Sequence, residues 1–209
     1  MTDYKKFIAV LEANSVIPVV VIDNLEDTLP LADALINNGC NIIEITLRTA
    51  VGMQAIELLK RERPQMLTGA GTVCSKEQFL KMESIGVDFI VSPGSTPELL
   101  EVGASANIPY LPGVMTSSEI LRAMNYGYKV LKFFPAALAG GIGGLKTYGS
   151  VYSDVLFCPT GGITGDNYKD FLALKNVVAL GGTWLAKQED IVNQQWADIA
   201  ARVQRCYGR

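Results

Sequence analysis

Residues 130–136 read VLKFFPA, with a single lysine, Lys132, among aliphatic and aromatic neighbours. Burial of that kind disfavours the charged form of an amine and lowers its pKa. A neutral amine is a nucleophile toward carbonyl carbon. Residues 42–47, IIEITL, carry a second exception to an apolar run. Alternation along a strand puts Ile43, Ile45 and Leu47 toward one layer and Glu44, Thr46 and Arg48 toward the other. An ammonium, a carboxylate and a guanidinium are then expected to share one interior. Such groups are almost never buried unless paired. A buried ion network that only fixes the strands in register is the plain alternative, but buried ion pairs are poor sources of stability. A carboxylate beside an amine is instead placed to move protons.

The chain has no histidine. That excludes Ser-His-Asp and Cys-His nucleophiles and a zinc site built on imidazoles. Cysteines stand at 40, 74, 158 and 206, with no metal-ligand or redox spacing. Cys40 and Cys158 read as small buried apolar residues, and Cys74, near a strand end, as a reactive candidate. Two glycine pairs lie late in the chain, in PTGGIT at 159–164 and LGGTW at 180–184. Glycines let backbone N–H groups approach oxygen atoms closely, and the loops after the last two strands of a barrel often form a phosphate site. GAGTV at 69–73 puts the Thr72 hydroxyl at a strand end, and SPG at 92–94 puts Pro93 at another. For each of these alone, a turn or cap is the simpler reading.

These residues need elements to hold them. β-rich segments recur at 17–22, 42–47, 66–73, 89–94, 110–114, 130–136, 155–162 and 177–185, their starts 20 to 25 residues apart. Between them run helical patterns at 25–39, 75–86, 96–107 and 116–127, several opening on Ser or Thr with an acid close behind and ending on Gly or Asn. Eight β-then-α units with near-continuous apolar strands predict a parallel α/β sheet closed into a (β/α)8 TIM barrel, with an extra N-terminal helix over the first 15 residues. An open doubly wound sheet is the alternative, although the first βα junction lacks a Gly-rich dinucleotide fingerprint. Residues 139–144, AGGIGG, read as a flexible loop over the barrel mouth. No linker breaks the sequence, so residues 1–209 are expected to form a single domain. An apolar content of 49% and a net charge of -3 with scattered basic residues give no footprint for nucleic acid or for a membrane surface. The start, MTDYKKFIAVLEANS, has no long apolar run, so no secretory signal is expected and the cytoplasm is the default compartment.

EITLRT (44–49), GAGTV (69–73), SPG (92–94), PGV (112–114), KFFPA (132–136), CPTGGI (158–163) and GGTW (181–184) occur in an order and spacing that resembles the bacterial 2-keto-3-deoxy-6-phosphogluconate / 4-hydroxy-2-oxoglutarate aldolase family over nearly the whole chain. The resemblance implies a homotrimeric barrel and a Schiff-base aldolase needing no metal and no cofactor. It implies Lys132 as the Schiff-base residue and Glu44 as the proton-transfer group, working through a water. Arg48 and Thr72 would hold the substrate carboxylate, and Pro93 and Phe134 would line the pyruvyl pocket. Thr160 would sit beside the C4 hydroxyl, and Gly161, Gly162, Gly182 and Thr183 would bind the phosphate. Relatives commonly carry Ser at the position of Thr183, a change that keeps the hydroxyl. The chain also lacks the Glu that often follows FFPA in relatives. The implied substrate is a phosphorylated 2-keto-3-deoxy sugar acid, giving pyruvate. Relatives acting on the galactonate epimer tend to carry Val where this chain has Thr160, so the gluconate form is favoured. Two alternatives stay open: an epimerase or lyase on the same barrel using Lys132 as a general acid, and a non-catalytic binder of phosphate ligands.

Overall fold

The computed structural model describes residues 4–208. The first three residues of the expected leading helix, and Arg209, lie outside the described residues. Helix α1 (Tyr4–Ala13) precedes strand β1 (Val16–Val20). Phe7 and Leu11, four apart, are its buried stripe. A 3-10 turn (Leu25–Asp27) leads into α2 (Thr28–Ile36), and the chain then alternates through β2 (Ile42–Thr46), α3 (Gly52–Glu62), β3 (Leu67–Gly71), α4 (Lys76–Ile85), β4 (Phe89–Val91) and α5 (Pro97–Ser105). It continues with β5 (Tyr110–Leu111), β6 (Gly113–Val114), α6 (Ser117–Asn125), β7 (Val130–Phe133), α7 (Gly141–Val151), β8 (Leu156–Pro159), α8 (Tyr168–Leu172), β9 (Leu180–Gly182), α9 (Gln188–Val192) and α10 (Trp196–Tyr207).

The capping chemistry read from the sequence sets these boundaries. The Ser75 side chain accepts from the Gln78 amide at the start of α4, and Gly86 closes that helix at φ 79. Thr96 accepts from the Leu99 amide with Pro97 in the first turn of α5. Thr116 and Glu119 form a reciprocal capping box on α6.

All strand pairings are parallel, in a six-stranded ladder β5-β4-β3-β2-β1-β9 and a three-stranded ladder β6-β7-β8. Isolated parallel bridges, Phe157 with Val177 and Thr160 with Gly181, join β8 to the segment of β9. The result is a mostly parallel, curled α/β sheet covered by helices. The fifth expected strand is split in two at Pro112, which has no N–H to give to a ladder. Most strands also stop short of the expected ends, because Pro and Gly at their exits (Pro93, Pro135, Gly161) cannot extend the pairing.

Residues 139–144 differ most from expectation. Ala139 and Gly140 end a turn, Gly140 as the N-cap, and residues 141–144 form the first turn of α7 rather than a flexible loop. Gly144 packs so closely that an added Cβ would lie 2.5 Å from the Ala139 carbonyl oxygen. Glycine serves close approach there, and tertiary packing overrides its low helix propensity.

Candidate active site

Lys132 lies in β7, in register between Gly113 of β6 and Cys158 of β8. Glu44 lies in β2, between Val19 of β1 and Gly69 of β3. Going round through β1, β9 and β8, the two strands are four steps apart, which on a flat sheet would be about 19 Å. Yet Lys132 Nζ donates to Glu44 Oε1 at 3.0 Å. Curling of the sheet brings the two inward faces together across the interior. Both residues are buried, Glu44 at 3% and Lys132 at 5% exposure. The contact between amine and acid is direct.

The neighbours of the pair are chosen for room and for dryness. A Cβ on Gly71 would come within 2.3 Å of Glu44 Oε1, so only glycine leaves the carboxylate its position. The Phe134 ring centroid lies 5.4 Å from Lys132 Nζ, within cation–π range. Burial, then the Glu44 charge, push the Cys158 thiol up to about 12, with Lys132 acting in the opposite direction. Cys158 is therefore a neutral wall beside the pair. Cys40 is likewise buried and its thiol pushed up to about 11, mainly by desolvation, while Cys74 is exposed. Gly71→Ala is expected to push the Glu44 carboxylate away from Lys132 and to cut turnover about tenfold or more, as a misplacement of 1 Å can cost 10²-fold. Steady-state kinetics beside a melting curve separate that loss from misfolding.

Arg48 corrects the sequence reading. Strand β2 ends at Thr46, so strand alternation does not reach Arg48, which is exposed on the following turn. A guanidinium on a turn keeps its hydration, whereas one carried on into the interior would need a partner. Thr46, inside the strand, donates to the Val20 carbonyl at 2.9 Å and is structural. The turn itself is anchored by Thr49, which donates to the Ile22 carbonyl at 2.6 Å.

The other expected residues follow the carboxyl ends of parallel strands, which places them at one end of the sheet. Thr72, half-buried, follows β3 and holds φ 59. Pro93 follows β4 and Phe134 follows β7, both half-buried. Thr160, 5% exposed, follows β8 and leads to Gly161 at φ 99 and Gly162 at φ 75. A Cβ on Gly162 would lie 2.4 Å from that of Ala137, and Ala137 N–H in turn donates to the Gly161 carbonyl at 3.1 Å. Gly182 ends β9 and Thr183, exposed, follows it. Among the described residues the amide N–H groups of Gly162 and Thr183 have no protein acceptor, while that of Gly161 faces Gly181 in the bridge to β9. Free donors on adjacent glycine-rich turns can receive an anion.

A cleft of about 440 Å³ lies elsewhere, between α1 and residues such as Leu67, Phe89 and Pro109 at or near the amino ends of β3, β4 and β5. Sequence reasoning passed over two residues next to the site: Ser92, which it took as part of a turn, and Tyr110. Ser92 was visible inside the SPG motif, but its partner is 18 residues away and follows no local pattern.

A buried lysine–carboxylate pair in a curled parallel sheet, with loose N–H groups at the strand ends, defines a carbonyl-handling enzyme of the Schiff-base class. Residues 7–202 match the KDPG and KHG aldolase family, and the chain belongs to it. It is 44% identical to the 2-dehydro-3-deoxy-phosphogluconate aldolase of Pseudomonas aeruginosa, over 88% of this chain and 84% of that one. It is 42% identical to the KHG/KDPG aldolase of Escherichia coli K12, over 85% and 83%. The crystal structure of KDPG aldolase from Legionella pneumophila, with pyruvate captured at low pH as a covalent carbinolamine intermediate, superposes with a TM-score of 0.93 at 46% identity, covering 97% of this chain and 98% of that chain.

Proposed function

We propose that the protein is a Schiff-base aldolase that cleaves 2-dehydro-3-deoxy-6-phosphogluconate to pyruvate and glyceraldehyde 3-phosphate, with 4-hydroxy-2-oxoglutarate, giving pyruvate and glyoxylate, as a second substrate. The observation that carries this is the 3.0 Å contact of buried Lys132 with buried Glu44 in a member of the aldolase family. Glu44 takes a proton from Lys132, and the free amine attacks C2 of the keto acid. Glu44 returns the proton to the carbinolamine hydroxyl, water leaves, and an iminium forms. Glu44, a carboxylate again, takes the C4 hydroxyl proton as C3–C4 breaks, the bonding pair flows into the iminium to give an enamine, and the same proton is later returned to C3. The aldehyde departs, C3 is protonated, and hydrolysis frees pyruvate and the amine.

In this reading Arg48 forks onto the substrate carboxylate from the mouth, Thr72 adds a hydroxyl, and Pro93 and Phe134 wall the pyruvyl group. Thr160 meets the C4 hydroxyl, while Gly161, Gly162, Gly182 and Thr183 receive the phosphate through backbone amides. Distal binding of the phosphate orients the reacting bond. A pyruvate-release assay on the two C4 epimers tests the substrate assignment. Faster turnover of the gluconate form is expected; faster turnover of the galactonate form reverses the assignment, and no pyruvate from either leaves only a ligand binder.

Thr72 has a stability cost attached to its place. A β-branched residue at φ 59 is strained by about 1–3 kcal/mol. Thr72→Gly is expected to relieve that strain, less about 0.5–1 kcal/mol for glycine's chain entropy, and so to raise Tm. Its KM should rise about 10- to 100-fold for loss of one hydrogen bond to a charged group. A variant with both Tm and KM unchanged removes Thr72 from the binding site.

The two ladders, with Tyr110–Leu111 and Gly113–Val114 counted as one strand, support reading the sheet as an eight-stranded (β/α)8 barrel with α1 as an added helix, in one domain spanning 1–209. Exposed Leu138 at 79%, before α7, and Val151 at 64%, its last residue, support self-association, read here as a homotrimer in the cytoplasm. Sedimentation at the mass of one chain would rule the trimer out.

A further inference from the structure

We infer that Ser92 is a positioning residue for Lys132, acting through the main chain of Pro112 and Gly113. This rests on Lys132 being the Schiff-base amine. The parallel ladder breaks at Pro112, so β6 pairs with β7 alone and not with β4. The Ser92 hydroxyl, just past β4, spans that break: Gly113 N–H donates to Ser92 Oγ at 3.3 Å. Main-chain contact supports the same junction, since Ser92 N–H donates to the Leu111 carbonyl at 3.3 Å. On the other side of β6, Lys132 N–H donates to the Pro112 carbonyl at 3.0 Å, and Gly113 is the residue in register with Lys132. One side-chain oxygen thus links the sheet on the β4 side to the strand that carries the amine.

The oxygen is itself held. Ser92 Oγ shares a hydrogen bond of 2.6 Å with the Tyr110 hydroxyl. Ser92 is 0% and Tyr110 1% exposed, so neither has water as a substitute partner. The Tyr110 ring sits edge-on to Phe79 at 5.3 Å and to Tyr128 at 5.6 Å. Helix α5 presses on it, since a Cβ at Gly103 would come within 2.4 Å of the ring. The ring therefore fixes where the Ser92 oxygen stands, and the oxygen fixes Gly113. Gly113 passes close to the Pro93 main chain, since a Cβ there would meet it at 2.3 Å. Losing the hydroxyl strands a buried N–H beside the amine's own strand and frees that strand to shift.

The test compares wild type, Ser92→Ala, Ser92→Thr and Tyr110→Phe. The measurements are the rate of borohydride-trappable pyruvate adduct formation, kcat, KM and Tm. Ser92→Ala should slow adduct formation and kcat about 10- to 100-fold, as a small misplacement of a reacting group does, with KM for the phosphorylated substrate within about twofold. Ser92→Thr, which keeps the hydroxyl, should recover most of the rate. Tyr110→Phe, which keeps Ser92 but frees its rotamer, should show the same kcat-weighted loss at a few-fold. A lower Tm with an unchanged adduct rate per folded molecule in Ser92→Ala overturns the positioning role. If that variant does not fold, an unchanged adduct rate in Tyr110→Phe does so instead. Absence of any adduct in wild type overturns the Schiff-base reading and this inference with it, so the two failures are told apart.

Discussion

Borohydride added with pyruvate is expected to leave one reduced three-carbon adduct on Lys132, mapped by peptide mass spectrometry, and none on the Lys132→Ala chain. Turnover of the phosphorylated substrate by that variant should fall on the order of 10⁴-fold or more, as when a covalent nucleophile is removed from other enzymes. Removing one member of a buried pair also leaves an uncompensated charge, which costs about 3–5 kcal/mol. Glu44, 3% exposed and 3.0 Å from the amine, is the group left stranded. The double variant Lys132→Met/Glu44→Gln removes both charges and should recover most of the lost Tm while staying inactive. An adduct of equal yield in Lys132→Ala would move the reactive amine elsewhere in the chain.

Glu44→Gln carries the second large effect. Glutamine keeps the shape, so the clearance provided by Gly71 and the contact with Lys132 Nζ are preserved. What disappears is a group that can take a proton and return it. Loss of a positioned general acid–base is worth about 10²–10⁴-fold in rate, and kcat should fall by that factor while KM changes little. The borohydride adduct should still form, only slowly, because the amine is intact. That pattern separates Glu44 from Lys132: one variant loses the adduct, the other delays it. Near-normal kcat in Glu44→Gln would leave the carboxylate a purely structural partner.

Much of this was readable because charged residues inside apolar runs are costly and therefore conspicuous. Lys132 and Glu44 stood out for that reason, and the alternation rule put both in the interior where the structure has them. The helix limits at Ser75, Thr96, Thr116 and Gly86 were legible because caps are local chemistry. Arg48 was misplaced because alternation holds only while the strand lasts, and nothing in IIEITLRT says that pairing ends at Thr46. The break at Pro112 could have been foreseen from proline's missing donor, but its consequence, a serine bridging the junction, depends on contacts distant in sequence. The run at 139–144 misled because six residues with four glycines suggest looseness, whereas Gly144 is packed under the Ala139 carbonyl.

The amine and the acid stand on β7 and β2, within the sheet, while Arg48, Thr72, Gly161, Gly162 and Thr183 belong to turns beyond it. On the proposed reading, bond-making falls to the rigid part of the molecule and the choice of sugar acid to its rim. Descendants of such a chain can acquire new tastes by altering a few rim positions, each change leaving the carbon–carbon scission intact.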